Sequence, residues 1–317
     1  MAEAGPIKIK VDIVSGFLGA GKTTFIQKLI DKKAYADNKL VILENEFGKV
    51  NIDGQILSAL NITIENIVAE CICCTGADSL LNKLITISQD EAPDYLIIEP
   101  TGIAHLSDIS RVFQYKTIKG LYQINNIITV IDAKNYRNWI KVANNLFEDQ
   151  IRFSNVILIN KSETCPREEI MELAMLLDTI HPDCPIFLNQ SCLLDSMKTN
   201  LPLGEKKSSD RALYFASHTN ENFDSYSFEY SGSIKKYEFE QFIGQIQIGR
   251  FGDIYRIKGY IQDEFQKKYS VEYVNHDFRM IQMVKTLNQI QPIEICFIGR
   301  NIDNVSLNEY LTQLQTN

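Results

Sequence analysis

The sequence predicts an α/β domain built on a mostly parallel sheet, followed by a smaller α+β domain. Two observations predict the first domain. Short apolar runs alternate with amphipathic stretches between Ile9 and Ile180. The runs are continuously hydrophobic, as in strands buried on both faces of a covered sheet. A third predicts the second domain: beyond about Leu201 the pattern shifts to several strands with few crossovers.

In order, Ile9 to Val14 reads as a strand ending in a glycine-rich turn. Thr23 to Lys33 follows as a helix, with Phe25, Ile26, Leu29 and Ile30 on one stripe. Further strands are expected at Leu40 to Leu43, Tyr95 to Ile98, Ile127 to Ile131 and Val156 to Ile159. Helices are expected at Ser79 to Ile87, Ile109 to Tyr115, Lys134 to Leu146 and Arg167 to Ile180. The first domain is assigned to residues 1–203 and a polar linker to 204–222. The second domain, 223–317, is expected to hold strands at Ser225 to Tyr230, Ile254 to Ile261, Tyr269 to Val274 and Ile293 to Ile298. Its helices are expected at Glu238 to Ile246 and Leu307 to Leu314.

The chain has 317 residues, 45% of them hydrophobic, which suffices for a full core without disulfides. A net charge of −8 argues against a general nucleic-acid binder, since phosphate contacts need a basic face. No apolar run approaches the roughly 20 residues that span a bilayer. Met1 to Lys10 carries no apolar signal core. The expected setting is therefore cytoplasmic, with no membrane partner, and the 7 cysteines are expected to be mostly reduced.

Gly16-Phe17-Leu18-Gly19-Ala20-Gly21-Lys22-Thr23 matches the Walker A pattern, with Thr24 next, between an apolar strand and a helix. Glycines let successive N–H groups turn toward phosphate oxygens, and the helix N-terminus adds its positive end. Lys22 is expected to reach the β- and γ-phosphates and Thr23 to ligate Mg²⁺. Glu99-Pro100-Thr101-Gly102 ends a buried strand, so Glu99 can serve Mg²⁺ and the Gly102 N–H the γ-phosphate. Asn160-Lys161-Ser162-Glu163 follows another strand at the place of a guanine-reading loop. Glu163 keeps the carboxylate acceptor that guanine needs, one methylene longer than the usual aspartate.

Cys71-Ile72-Cys73-Cys74 places three thiols too close for easy internal disulfides, but able to converge on one borderline metal ion. Glu44-Asn45-Glu46-Phe47-Gly48 lies where a nucleotide switch belongs, so Glu44 or Glu46 is a candidate fourth ligand. Cys165, Cys184, Cys192 and Cys296 are scattered and read as core or surface residues. The four histidines are isolated; only His105, just after the Glu99–Gly102 segment, stands near the site.

On these residues the chain resembles the CobW family of P-loop GTPases, the metallochaperone GTPases, which are similar to the nickel accessory GTPases of urease and hydrogenase. The resemblance spans Gly16 to Thr24, Glu44 to Gly48, Ile52-Asp53, Cys71 to Cys74, Glu99 to Gly102 and Asn160-Lys161. It continues in Arg256-Ile257-Lys258-Gly259 and Phe297-Ile298-Gly299. It implies a P-loop NTPase fold and a GTPase cycling between GTP and GDP with Mg²⁺. It also implies Zn²⁺ or Co²⁺ at the CxCC motif, passed to a metal-requiring client protein or a cobalamin-type pathway. The implied metal ligands are Glu44, Cys71, Cys73 and Cys74. Lys22, Thr23 and Glu99 would be catalytic, with Gly16, Gly19, Ala20, Gly21, Thr24, Gly102, Asn160, Lys161 and Glu163 around the nucleotide. Departures are Glu70 where the family has glycine, Lys49 where some members carry a metal-binding glutamate, and Glu163 for aspartate.

Two other readings share the P-loop: a small-molecule kinase, recognised by ATP preference, and a non-catalytic adaptor gated by nucleotide. An iron–sulfur role for the cysteines ranks below both. A homo-oligomer is compatible with everything in the sequence.

Overall fold

The computed structural model describes residues 8–32, 34–35, 38–44, 62–66, 76–182, 184–188, 190–197, 223–230, 232–274, 276–283 and 293–316. The chain divides into two compact units, Met1–Thr219 and Asn220–Asn317. The expected linker, 204–222, lies outside the described residues.

Among the described residues the first unit holds seven strands: β1 (Ile9–Ser15), β2 (Leu40–Glu44), β3 (Ile62–Asn66), β4 (Tyr95–Glu99), β5 (Tyr122–Asp132), β6 (Val156–Asn160) and β7 (Ile186–Phe187). They form one sheet in the order β3-β2-β4-β1-β5-β6-β7. Every pairing in it is parallel. Its helices are α1 (Lys22–Asp31), α2 (Gly76–Thr86), α3 (Leu106–Val112), α4 (Lys116–Leu121), α5 (Tyr136–Arg152), α6 (Arg167–Ile180) and α7 (Gln190–Met197). The chain leaves β1 toward β2 and β3, returns to β4, and crosses to β5 on the other side of β1. The strand order thus reverses at β1, and open α/β sheets bind ligands beyond the carboxyl ends at such a point.

Continuous hydrophobicity is explained by helices on both faces. On one face Val11, Ile13, Val41, Leu43, Leu96 and Ile98 cluster with Leu80 and Leu84 of α2, Leu106 and Ile109 of α3, and Ile118 of α4. On the other, Ile42, Ile97, Ile128, Val130 and Leu158 cluster with Phe25, Ile26 and Leu29 of α1 and Leu193 and Leu194 of α7. Asp12 interrupts the apolar run. Its carboxylate accepts from Tyr35 Oη at 2.6 Å, Asn126 Nδ2 at 2.7 Å and Asn125 Nδ2 at 3.0 Å. Burial nevertheless pushes its carboxyl above the ordinary range.

Several boundaries differ from expectation. The helix expected at Ile109 to Tyr115 is α3, three residues earlier, and a second short helix, α4, follows it. β5 begins at Tyr122 rather than Ile127. The helix expected at Lys134 to Leu146 starts at Tyr136, because the Asp132 carboxylate holds Lys134 N (2.9 Å) and Asn135 Nδ2 (3.0 Å) in a turn. It continues to Arg152 across a kink at Ala143 (φ −147°, ψ 58°), and Gln150, polar yet buried, hides the apolar period of its last turns. β3, β7 and α7 carried no prediction. β3 reads Ile-Thr-Ile-Glu-Asn at the sheet edge, and β7 is only two residues long.

The second unit is the expected antiparallel α+β domain. Its strands are β8 (Asp224–Tyr230), β9 (Ser233–Ile234), β10 (Asp253–Gln262), β11 (Lys268–Val274), β12 (Asp277–Gln282), β13 (Ile293–Arg300) and β14 (Gln315–Thr316). Five of them form a sheet in the order β12-β11-β10-β13-β8, and β14 pairs with β9. Helices α8 (Lys236–Gln247) and α9 (Asn304–Gln313) complete it. Phe239, Phe242 and Ile243 of α8 and Leu307 and Leu311 of α9 cluster with Ile257, Ile261, Val271, Tyr273, Ile295 and Phe297. Buried Asp263 closes the β10–β11 hairpin, accepting from Phe265 N (2.9 Å), Lys267 N (2.7 Å) and Tyr269 Oη (3.1 Å). Among the described residues no helix is long and apolar enough to cross a membrane.

Candidate functional site

Parallel strands deliver their following residues to one edge. Ser15, Glu44, Glu99, Asp132 and Asn160 end β1, β2, β4, β5 and β6, which are consecutive in the sheet apart from their sequence order. The glycine-rich loop leaves β1 with Gly16, Gly19 and Gly21 at φ 137°, 73° and 101°. These left-handed values suit glycine. Gly21 has a second reason to lack a side chain, because a Cβ there would run into Asn160 Nδ2. Ala20 N bonds Phe17 O at 3.1 Å, and α1 begins at Lys22, inside the motif as expected.

Lys22 is buried, and its Nζ donates to Gly16 O at 3.0 Å and Phe17 O at 3.3 Å. The ammonium thus arches over the loop that successive backbone N–H groups line. Thr23 Oγ1 donates to Glu99 Oε1 at 2.8 Å, joining the start of α1 to the end of β4. A hydroxyl and a carboxylate at that place are hard oxygen donors of the kind Mg²⁺ takes, so the residues fit the ion. Thr24 is exposed on the same turn.

Below the loop the Phe17 ring stacks on Trp139 of α5, with centroids 4.6 Å apart. Gln150 of α5 donates to Gly102 O at 3.3 Å and Ala104 O at 3.1 Å. That anchors the segment after β4. Gly102 lies so close to the backbone of Phe17 and Leu18 that a Cβ would collide with it. His105 caps α3 with its Nδ1 3.7 Å from Asp149 Oδ2, so it belongs to the α3–α5 packing.

The loop after β6 meets the glycine-rich loop from the other side. Asn160 Nδ2 donates to Ala20 O at 2.8 Å, and Lys161 Nζ donates to Gly19 O at 2.7 Å. Glu163 lies in a single 3₁₀ turn, Ser162–Thr164, with its side chain exposed. Three residues at this edge escaped the sequence reading: Asp132, Gln150 and Gln190. Asp132 had a usable signal, since it is an acid ending an apolar run as Glu99 is. The two glutamines had none.

Of the expected metal ligands, Cys71, Cys73 and Cys74 lie outside the described residues, as do Glu46 and Lys49. Glu44 is described. It ends β2 directly opposite Glu99 in the β2–β4 ladder, and the two are 2% and 1% exposed. Two carboxylates side by side with so little water are a place where a cation is favoured. Among the described residues no group of three or more His, Cys, Asp or Glu could hold a metal. Cys165, Cys184 and Cys296 are half-buried.

The family described as CobW/HypB/UreG, nucleotide-binding domain, matches residues 10–187, and the Cobalamin synthesis protein cobW C-terminal domain matches residues 223–315. Zinc chaperone YeiR of Escherichia coli (strain K12) is 31% identical over 161 residues, which is 50% of this chain and 49% of that protein. Zinc-regulated GTPase metalloprotein activator 1 of Dictyostelium discoideum is 26% identical over 235 residues, 62% of this chain and 48% of that one. The chain spans about half the length of the curated relatives it matches. The crystal structure of Zn(II)-bound YjiA GTPase from E. coli aligns over 98% of this chain and 99% of that chain, at 18% identity and a TM-score of 0.46. With the nucleotide-binding match covering more than half of its length, the chain belongs to the CobW/HypB/UreG family.

Proposed function

We propose that this protein is a GTPase that couples hydrolysis to binding a transition metal, zinc or cobalt, and handing it to a metal-requiring client. The observation that carries the reading is the pairing of Glu44 with Glu99. Glu99 also accepts from Thr23, so one carboxylate belongs to the nucleotide edge and its neighbour to the switch segment that leads toward the cysteines. A change on one carboxylate is felt by the other through a short, poorly screened distance.

In this reading Lys22 exchanges its bonds to Gly16 and Phe17 for the β- and γ-phosphate oxygens and offsets their charge. Thr23 and Glu99 would hold Mg²⁺, which would neutralise charge that develops on the phosphates. The Gly102 N–H orients toward the γ-phosphate from beside the loop. Asn160 and Lys161 frame the base, and Glu163 accepts from guanine N1–H and the exocyclic amine. Attack of water on the γ-phosphorus breaks its bond to the bridging oxygen and releases GDP and phosphate. The cargo ion is held by Glu44 with Cys71, Cys73 and Cys74 and is given up after hydrolysis. Turnover is slow until cargo or client completes the site. Zinc-chaperone and metalloprotein-activator relatives support the reading.

The test is GTP and ATP hydrolysis by the full chain with and without Zn²⁺ or Co²⁺, beside Cys73→Ala. The reading expects GTP to be preferred and metal to change the rate in the wild type only. A preference for ATP, or a rate indifferent to metal, overturns it.

A further inference from the structure

The base loop holds a strained residue. Lys161 sits at φ 61°, ψ 26°, a left-handed conformation that a lysine adopts only when its surroundings impose it. Two residues outside any motif hold this loop, Asp132 through Lys161 on one side and Gln190 through the neighbouring Asn160 on the other.

On the first side is Asp132, at the end of β5 and 3% exposed. Its Oδ2 accepts from Lys161 Nζ at 2.7 Å, while the same ammonium donates to Gly19 O at 2.7 Å. The Lys161 side chain keeps 39% of its surface while its tip is tied down by two hydrogen bonds. A flat apolar stem beside the phosphate loop is a shelf for a purine ring.

On the second side is Gln190, at the start of α7. Lys28 Nζ donates to Gln190 Oε1 at 2.6 Å, and Gln190 Nε2 donates to Asn160 Oδ1 at 2.7 Å. Asn160 Nδ2 then donates to Ala20 O at 2.8 Å. An ammonium can only donate and a peptide carbonyl can only accept. The relay therefore runs in one direction, and the Asn160 amide has one orientation rather than two. Cooperative polarisation along such a chain strengthens each link.

We propose that Asp132 and Gln190 are positioning residues for the nucleotide base. They touch no part of the ligand and act through Lys161 and Asn160, setting base affinity and the placement of Glu163 behind them. The inference deepens the guanine-nucleotide reading given above and rests on it. It assigns base selection to a loop that is pre-set before ligand arrives, rather than to Glu163 alone.

The experiment measures affinity of the full chain, with Mg²⁺, for GDP, ADP and inorganic pyrophosphate. The variants are Asp132→Ala and Gln190→Glu. Gln190→Glu keeps the volume and the Lys28 contact but cannot donate to Asn160. Each is expected to lose about tenfold in GDP affinity, the cost of one broken hydrogen bond to a polar network. Pyrophosphate, which engages only the phosphate loop, is expected to bind as in the wild type, and the GDP-to-ADP ratio is expected to shrink. A merely structural role would weaken pyrophosphate in step with GDP. That outcome, or wild-type GDP affinity and selectivity in both variants, overturns the proposal. Should Asp132→Ala fail to fold, Gln190→Glu carries the test. A wild type that does not bind GDP would instead defeat the underlying reading, and that control is read before any variant.

Discussion

The two units handle acidic side chains differently. In the first, all described strands run the same way, so acids that end them gather at one edge: Glu44 and Glu99 are register partners on neighbouring strands, and Asp132 lies beyond β1. In the second, neighbouring strands run in opposite directions, so their ends alternate between two edges. There Asp263 bonds its own hairpin and Asp303 caps α9 through Ser306 N at 3.1 Å. Burial by itself therefore does not mark a functional carboxylate. Asp263 is accounted for by its own hairpin, whereas Glu99 and Asp132 also reach partners on other elements at the carboxyl edge of the sheet.

This contrast can be broken by substitution. The largest effect is expected for Lys22→Ala, which should cost at least about a hundredfold in GTP turnover, the scale of losing a preorganised charge at the phosphates. Steady-state hydrolysis checks it, with thermal unfolding showing the fold retained. Next, Glu99→Gln keeps volume but removes the charge shared with Thr23. The Mg²⁺ concentration needed for half-maximal hydrolysis should rise on the order of tenfold or more.

Asp263→Ala should behave in the opposite way. Orphaning two backbone N–H groups and a tyrosine hydroxyl should destabilise the second unit by about 1–3 kcal/mol. Urea unfolding reads this, and hydrolysis per folded molecule should stay at the wild-type value. A loss of turnover matching that of Glu99→Gln would erase the distinction between the units.

The smallest effect concerns Asp12, buried among Tyr35, Asn125 and Asn126. Because burial raises its pKa in the folded chain, the native state holds its proton to higher pH than the unfolded state does. Stability from this group is complete below the ordinary carboxylate range and declines as pH rises through the raised value. Unfolding free energies from about pH 4 to pH 7 should show a steeper fall for wild type than for Asp12→Asn.

How much of this was legible follows from the same physics. The parallel sheet was readable because strands covered on both faces show unbroken apolar runs, as Leu40–Leu43 and Val156–Ile159 do. The phosphate loop was readable because its requirements are local: glycines at left-handed positions, then Lys22 and Thr23. Edge strand β3 and two-residue β7 were not, since neither buries enough to leave a pattern. Gln150 and Gln190 were invisible for another reason. Their roles depend on carbonyls and amides far away in sequence, Gly102, Ala104 and Asn160, and no spacing encodes such a meeting. Asp132 fell between, with a strand-end signal but a partner, Lys161, found only on folding.

In the proposed function Glu99 serves the nucleotide, Glu44 serves the cargo, and the two communicate. The most direct test is the Zn²⁺ affinity of the full chain loaded with a non-hydrolysable GTP analogue, set against the same chain loaded with GDP. The account predicts affinities differing by about tenfold, a typical coupling between sites, and a difference that vanishes in Glu44→Gln. Equal Zn²⁺ affinities in the two nucleotide states of the wild type would contradict it.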